Sequence, residues 1–212
     1  MNKGCHLLVI DEKRTLALQP SYAGEIASLR THFCGSVLEM IPPSHNFTHI
    51  YLTGDLASCN LSNANGAQLF AIDELTMTSD VNVSIVRVTL GQVPINVHDV
   101  GVFYPQLFPM DKDYFSLLSQ EHQFQELTES NKPKGRSLRK GLYLTHVSQR
   151  DDDETHFHLL RCSTNLDGPT ENFRNVDHSI LNAVSLASQP FFPDSAPFNH
   201  VLAQIYENKR YA

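Results

Sequence analysis

Residues 139–173, RKGLYLTHVSQRDDDETHFHLLRCSTNLDGPTENF, carry the clearest structural pattern in the chain. Two runs rich in apolar and β-branched residues, 141–147 and 155–162, flank an acidic connection. That pattern predicts a central β-hairpin over 139–162 with a longer loop. With Val147 opposite Thr155, His146 faces His156, Leu144 faces His158 and Leu142 faces Leu160. Side chains alternate along a strand, so one face then carries Leu142, Leu144, His146, His156, His158 and Leu160. A one-residue slip would disperse the three imidazoles.

Working outward, 212 residues suffice for one well-buried domain, and the absence of a composition break predicts a single domain over 1–212. An apolar fraction of 41% with 18% charged residues excludes global disorder. The formal net charge of −7 argues against non-specific binding of DNA by the whole surface. The N-terminus MNKGCHLLVIDEKR has too short an apolar run for a secretory signal, and no run in the sequence approaches a membrane span. An intracellular protein, cytoplasmic or nuclear, is therefore expected, with no membrane partner. Cys5, Cys34, Cys59 and Cys162 lack CxxC spacing and read as reduced, small hydrophobes.

Before the hairpin, residues 5–10 and 15–18 read as strands joined by the charged turn 11–14, and 22–33 as a helix with Tyr22, Ile26, Leu29 and Phe33 on one stripe. Strands are expected over 37–41, 49–53, 68–72 and 81–90. The last is so continuously apolar that burial on both faces is expected. Residues 58–66, SCNLSNANG, read as a loop. Further helices are expected over 111–120, capped by Asp111, and over 177–186. Strands outnumber helices and do not alternate with them regularly. The expected class is α+β, a largely antiparallel sheet with a few packed helices.

Three groups of residues suggest chemistry. His146, His156 and His158 have a spacing able to chelate Zn or Fe(II), and an open position on such an ion could activate water or oxygen. Their plain alternative is a solvated hairpin tip. Arg161 and Ser163 could share an anion, the guanidinium gripping a carboxylate bidentately, with an ordinary strand-end salt bridge as the alternative. Lys132, Lys134, Arg136, Arg139 and Lys140 form the one dense basic run of an acidic chain, suited to phosphate or to weak nucleic-acid contact. No Gly-x-Ser-x-Gly elbow, Walker loop or Gly-x-Gly-x-x-Gly occurs in the sequence. Hydrolase, nucleotide-triphosphatase and dinucleotide-fold readings thus lack their usual support.

The segment 196–208, APFNHVLAQIYEN, resembles the stretch that leads into the iron site of AlkB-like Fe(II)/2-oxoglutarate oxygenases. Phe198, Asn199, Val201, Leu202 and Tyr206 carry the resemblance. In that family such a stretch enters a strand, and a short polar turn then delivers a His-x-Asp motif. The resemblance implies that this chain corresponds to the substrate-covering part that precedes the double-stranded β-helix, without the iron motif. It also implies that Arg161 is not a 2-oxoglutarate ligand, since the family's anion-binding arginine follows the iron motif. Two further readings stand beside it: a metal-dependent enzyme or metal-binding protein using the histidine cluster, and a binding module without chemistry.

If the basic run contacts phosphates, oligonucleotide affinity should fall with salt at a logarithmic slope of about 0.9 per contacted phosphate. Replacing Lys132 and Lys134 by glutamine should flatten that slope in a titration at low and moderate salt. Absence of binding at low salt would remove the nucleic-acid role.

Overall fold

The computed structural model describes residues 4–77, 83–126, 139–149, 155–157 and 170–206. Contacts divide the chain into two compact units, Met1–Pro109 with Ser188–Asp194, and Met110–Ala187 with Ser195–Ala212.

In the first unit, β1 (His6–Val9) leads into helix α1 (Glu12–Leu18) and then α2 (Ala23–His32). The strands β2 (Ser36–Leu38), β3 (His49–Asp55), β4 (Gln68–Met77) and β5 (Ile85–Val88) follow. They form one five-stranded sheet of order β2-β1-β3-β4-β5, and every neighbouring pair in it is parallel. A small antiparallel pair, β6 (Ile95–Val97) and β7 (Gly101–Phe103), completes the unit. The expectation of a largely antiparallel α+β sheet is therefore corrected: the protein is mixed α/β, built on a mostly parallel central sheet. Regular alternation of strand and helix, the usual sign of such a sheet, fails because the β3–β4 connection uses only the short 3-10 turns Leu56–Ser58 and Leu61–Ala64.

The two faces of this sheet explain the pattern of its sequence. Leu8, Tyr51, Ile72 and Val88 point to one face, where Ile26, Leu29 and Phe33 of the α2 segment cover them. Leu7, Val9, Ile50, Leu52, Leu69 and Ala71 point to the other, under Ile41, Leu56 and Ala64. A parallel sheet covered on both faces needs continuous apolar strands, and every residue of β1 is buried. The stretch 81–90, expected to be that strand, instead contributes the edge strand β5, where Val86 is exposed. Residues 15–18, expected as a strand, belong to α1. Asp11 caps that helix by accepting the Arg14 backbone N–H at 3.2 Å, and Glu12 supplies the acidic first turn.

The second unit opens with α3 (Tyr114–Glu121), capped by Asp113 rather than the expected Asp111. Strands β8 (Gln125–Glu126), β9 (Arg139–Thr145), β10 (Val147–Gln149), β11 (Thr155–Phe157) and β12 (Glu171–Asn172) follow, then helix α4 (Asn175–Ser188) and β13 (His200–Tyr206). β9 is flanked along its length by antiparallel β13. It also pairs with β8 near Gly141 and with parallel β12 near Leu144. Both sides of β9 are thus taken by other strands, and residues 158–162 of the hairpin partner expected for 141–147 lie outside the described residues. Among the described residues, β10 and β11 pair in the expected sense, with Ser148 opposite His156 and Val147 opposite Phe157, two residues from the expected register. Among the described residues no helix is long and apolar enough to cross a membrane.

Gly35 sits where the chain turns from α2 into β2. A Cβ there would lie 2.5 Å from the His6 carbonyl oxygen and 2.7 Å from the Phe33 ring. Gly35→Ala should therefore destabilise the protein by about 1–3 kcal/mol, with backbone forced to move. Urea unfolding that leaves the midpoint unchanged would show that this close approach does not constrain the fold.

Candidate functional site

Of the residues singled out from the sequence, Lys132, Lys134, Arg136, His158, Arg161 and Ser163 lie outside the described residues. His156 is placed by its backbone in β11, and His146 falls between β9 and β10 with an exposed side chain. Arg139 and Lys140 begin β9, where the Arg139 guanidinium sits 5.9 Å from the centre of the Tyr206 ring, its cross-strand partner.

The structure instead gathers polar groups at three other places. The first is the carboxyl end of the parallel sheet. Here the chain leaves β1 toward β2 on one side, while β3 lies on the other. In doubly wound sheets ligands bind outside the carboxyl ends of the strands at such a switch point. A cavity of about 180 Å³ lies there, lined by Asp11, Arg14, Glu39, Thr53, Asp55 and Asn60 among others. Buried Thr15 and Thr53 share a hydrogen bond of 3.2 Å at its floor, and the Thr53 hydroxyl donates to the Val9 carbonyl at 3.1 Å. Asp55 accepts from the Ala57 N–H at 3.0 Å and so starts the turn that follows β3. Burial raises the Cys59 thiol, and the charge of Asp55 raises it further, so this cysteine is a poor nucleophile. Three carboxylates against one arginine make the crevice suited to polar neutral or cationic groups and unsuited to phosphate.

The second place is the amino end of the same sheet. The His6 ring stacks at 4.4 Å on Phe191 and at 4.9 Å on His49, and its Nδ1 lies 3.0 Å from the Cys5 sulfur. Burial, helped by the neighbouring His49, pushes His6 down to about 3. Burial also raises Cys5, whose thiol donates to the Pro190 carbonyl at 3.3 Å. With His6 lowered and the Cys5 thiol raised, both by burial, transfer of the thiol proton to the ring is disfavoured, which favours a packing role over a nucleophile with its base.

The third place is in the second unit. His122 follows α3, Glu171 starts β12 and Asp177 lies in the first turn of α4. Since β8 and β12 both pair with β9, the residues beside them converge. The His122 side chain is fully buried. Its Nδ1 is 2.8 Å from Glu171 Oε2 and its Nε2 is 2.7 Å from Asp177 Oδ2. Asp177 also accepts the Arg174 N–H at 2.8 Å, and Glu121 accepts the Val176 N–H at 3.2 Å. These two carboxylates satisfy backbone donors at the start of α4 that have no partner within the helix. Glu121, His122 and Asp177 offer ligand atoms that all lie within 4.8 Å of one another. They are the metal-competent group among the described residues, and none was singled out from the sequence. The only local signal was the adjacent Glu121-His122 at the end of an amphipathic helix.

No protein-family model, curated protein or solved structure matches this chain.

Because the folded His6 stays neutral from its ordinary value of 6.5 down to about 3, only the unfolded chain takes up its proton in that window. Stability from this residue is whole above pH 6.5 and is lost as pH falls toward 3, by at most about 1.4 kcal/mol per pH unit. His6→Phe keeps a ring against Phe191 and should flatten the acid limb between pH 6 and 4, measured by urea unfolding. An unchanged limb would show that His6 does not carry it.

Proposed function

We propose that this chain supplies the substrate-covering portion of an AlkB-like Fe(II)/2-oxoglutarate oxygenase. The observation that carries the reading is β13. The residues that bear the resemblance, Phe198 to Tyr206, run into a strand that pairs with β9 from His200 opposite Thr145 to Tyr206 opposite Arg139. A surface helix there would have been incompatible with a lead-in to a metal-bearing turn. The entry is pinned by the buried Thr145 hydroxyl, which donates to the Asn199 carbonyl at 3.0 Å. The side of β9 away from β13 is held by β8 and β12, so the lead-in strand rests on a sheet edge that is already braced.

The family's iron site is a separate matter. None of the histidines in this sequence begins a His-x-Asp or His-x-Glu triplet, so the residues present do not form that centre. No oxidative step is assigned to this chain. Its role in the proposal is to present a surface over the substrate of a centre held elsewhere.

Reading the message that encodes the protein past Ala212 tests this directly. The proposal expects a His-x-Asp within the next few residues. It also expects 2-oxoglutarate turnover by the longer product with Fe(II), and none by residues 1–212 alone. A stop codon after Ala212, or turnover by residues 1–212 alone, would overturn it.

A further inference from the structure

We propose that Glu121, His122 and Asp177 bind a divalent transition-metal ion, zinc being the first candidate, with Glu171 orienting the imidazole. The two ring nitrogens of His122 have different surroundings, and the difference assigns the roles. Nδ1 meets Glu171 alone. A metal-ligating histidine usually donates its other N–H to a carboxylate or carbonyl, which sets the tautomer and the ring plane, and Glu171 is placed to accept that bond. Nε2 meets Asp177, and Glu121 offers a carboxylate oxygen within 4.8 Å of Asp177 and of a His122 ring nitrogen. One ring nitrogen and two carboxylates are therefore collected within 4.8 Å of one another.

The dimensions fit a small rearrangement in which Asp177, now 2.7 Å from Nε2, moves out by about 0.7 Å and Glu121 moves in. Zinc holds nitrogen and oxygen at about 2.0–2.2 Å, so tetrahedral ligands stand about 3.4 Å apart. The present spread, up to 4.8 Å, closes by about 1.4 Å if the partly exposed Glu121 rotates toward the ring. A mixed nitrogen and oxygen donor set suits zinc and its neighbours better than calcium, which takes oxygen donors only.

Charge points the same way. Glu121, Glu171 and Asp177 bring three carboxylates together, and Arg174, 3.8 Å from Glu171, is more than half exposed. The positive start of α4 offsets part of the excess but not three charges. Without an ion, the hydrogen bonds of His122 to both carboxylates hold α3, β12 and α4 together. An ion on Nε2 would leave the Nδ1–Glu171 bond intact.

The site also has an approach. A cavity of about 790 Å³ is walled by residues 119–123 and 171–174, with Glu121 and His122 among them. Glu171 lines this cavity and Asp177 does not, so an ion would be reached from it past Glu121.

The experiment is a titration of the whole chain with Zn²⁺ against a chelator of known affinity, repeated with Co²⁺ to read the ligand field. The expected result is one equivalent bound, with tetrahedral cobalt absorption. Glu121→Gln keeps an acceptor for the Val176 N–H and should preserve the thermal midpoint of the metal-free protein while weakening zinc at least tenfold. Glu171→Gln should weaken it 10–100-fold, the range found for lost outer-shell partners. A purely structural cluster would leave zinc binding absent. Binding that is unaffected by both variants would mean adventitious zinc elsewhere on the chain. Either result overturns the proposal.

Discussion

Strand β1 has no face toward water, and the first unit follows from that constraint. Leu7 and Leu8 lie on opposite faces and both are fully buried. Burying one such side chain is worth about 1.5–3 kcal/mol, so two covering layers are needed to collect the gain from both. The α1 and α2 segments supply one layer, and the connections around Ile41, Leu56 and Ala64 supply the other. Parallel pairing on both edges of β1 then satisfies its backbone. Because the middle of the strand admits no polar side chain, polar chemistry is confined to its ends. His6 and Cys5 occupy the amino end, and Asp11 with the Thr15–Thr53 pair occupies the carboxyl end.

The amino and carboxyl ends differ in physical character. At the amino end, rings are stacked and dry, and burial holds His6 neutral and the Cys5 thiol protonated. At the carboxyl end, carboxylates already engaged in capping line a cavity that is open to solute. The second unit solves a related problem by other means. Its short strands β8 and β12 are only two residues each, too short to hold themselves. The His122 cluster ties the segments beside them to α4 through charge-assisted hydrogen bonds.

Local signals in the sequence located individual elements better than their assembly. The stripe Tyr22, Ile26, Leu29, Phe33 marks α2 within a residue or so at each end, whereas the short apolar run at 198–206 leaves its type open and holds β13 over His200–Tyr206. Direction of pairing was not legible, because a parallel neighbour and an antiparallel one ask for the same apolar residues in a covered sheet. The short 3-10 turns between β3 and β4 removed the helical spacer that would have signalled a crossover. Residues 15–18 imitate a strand because Leu16 and Leu18 alternate, although Asp11 and Glu12 start a helix. The candidate metal ligands carry little local signal for a different reason. His122 meets Glu171 and Asp177 across 49 and 55 residues, so no spacing motif connects them. Topology alone brings them together, and the hairpin histidines drew attention because their spacing was local.

The claim that β1 is the doubly covered centre of a parallel sheet is tested most directly by native-state hydrogen exchange. Amides of Leu8 and Val9 in β1, and of Tyr51 and Leu52 in β3, should exchange only through global unfolding. Their protection should then equal the full unfolding free energy and fall with denaturant at the global slope. Edge strands β2 and β5 should exchange faster through local opening. Protection of β1 no greater than that of β2 and β5 would contradict the account, because a strand without a solvent face cannot open while the sheet around it stays folded.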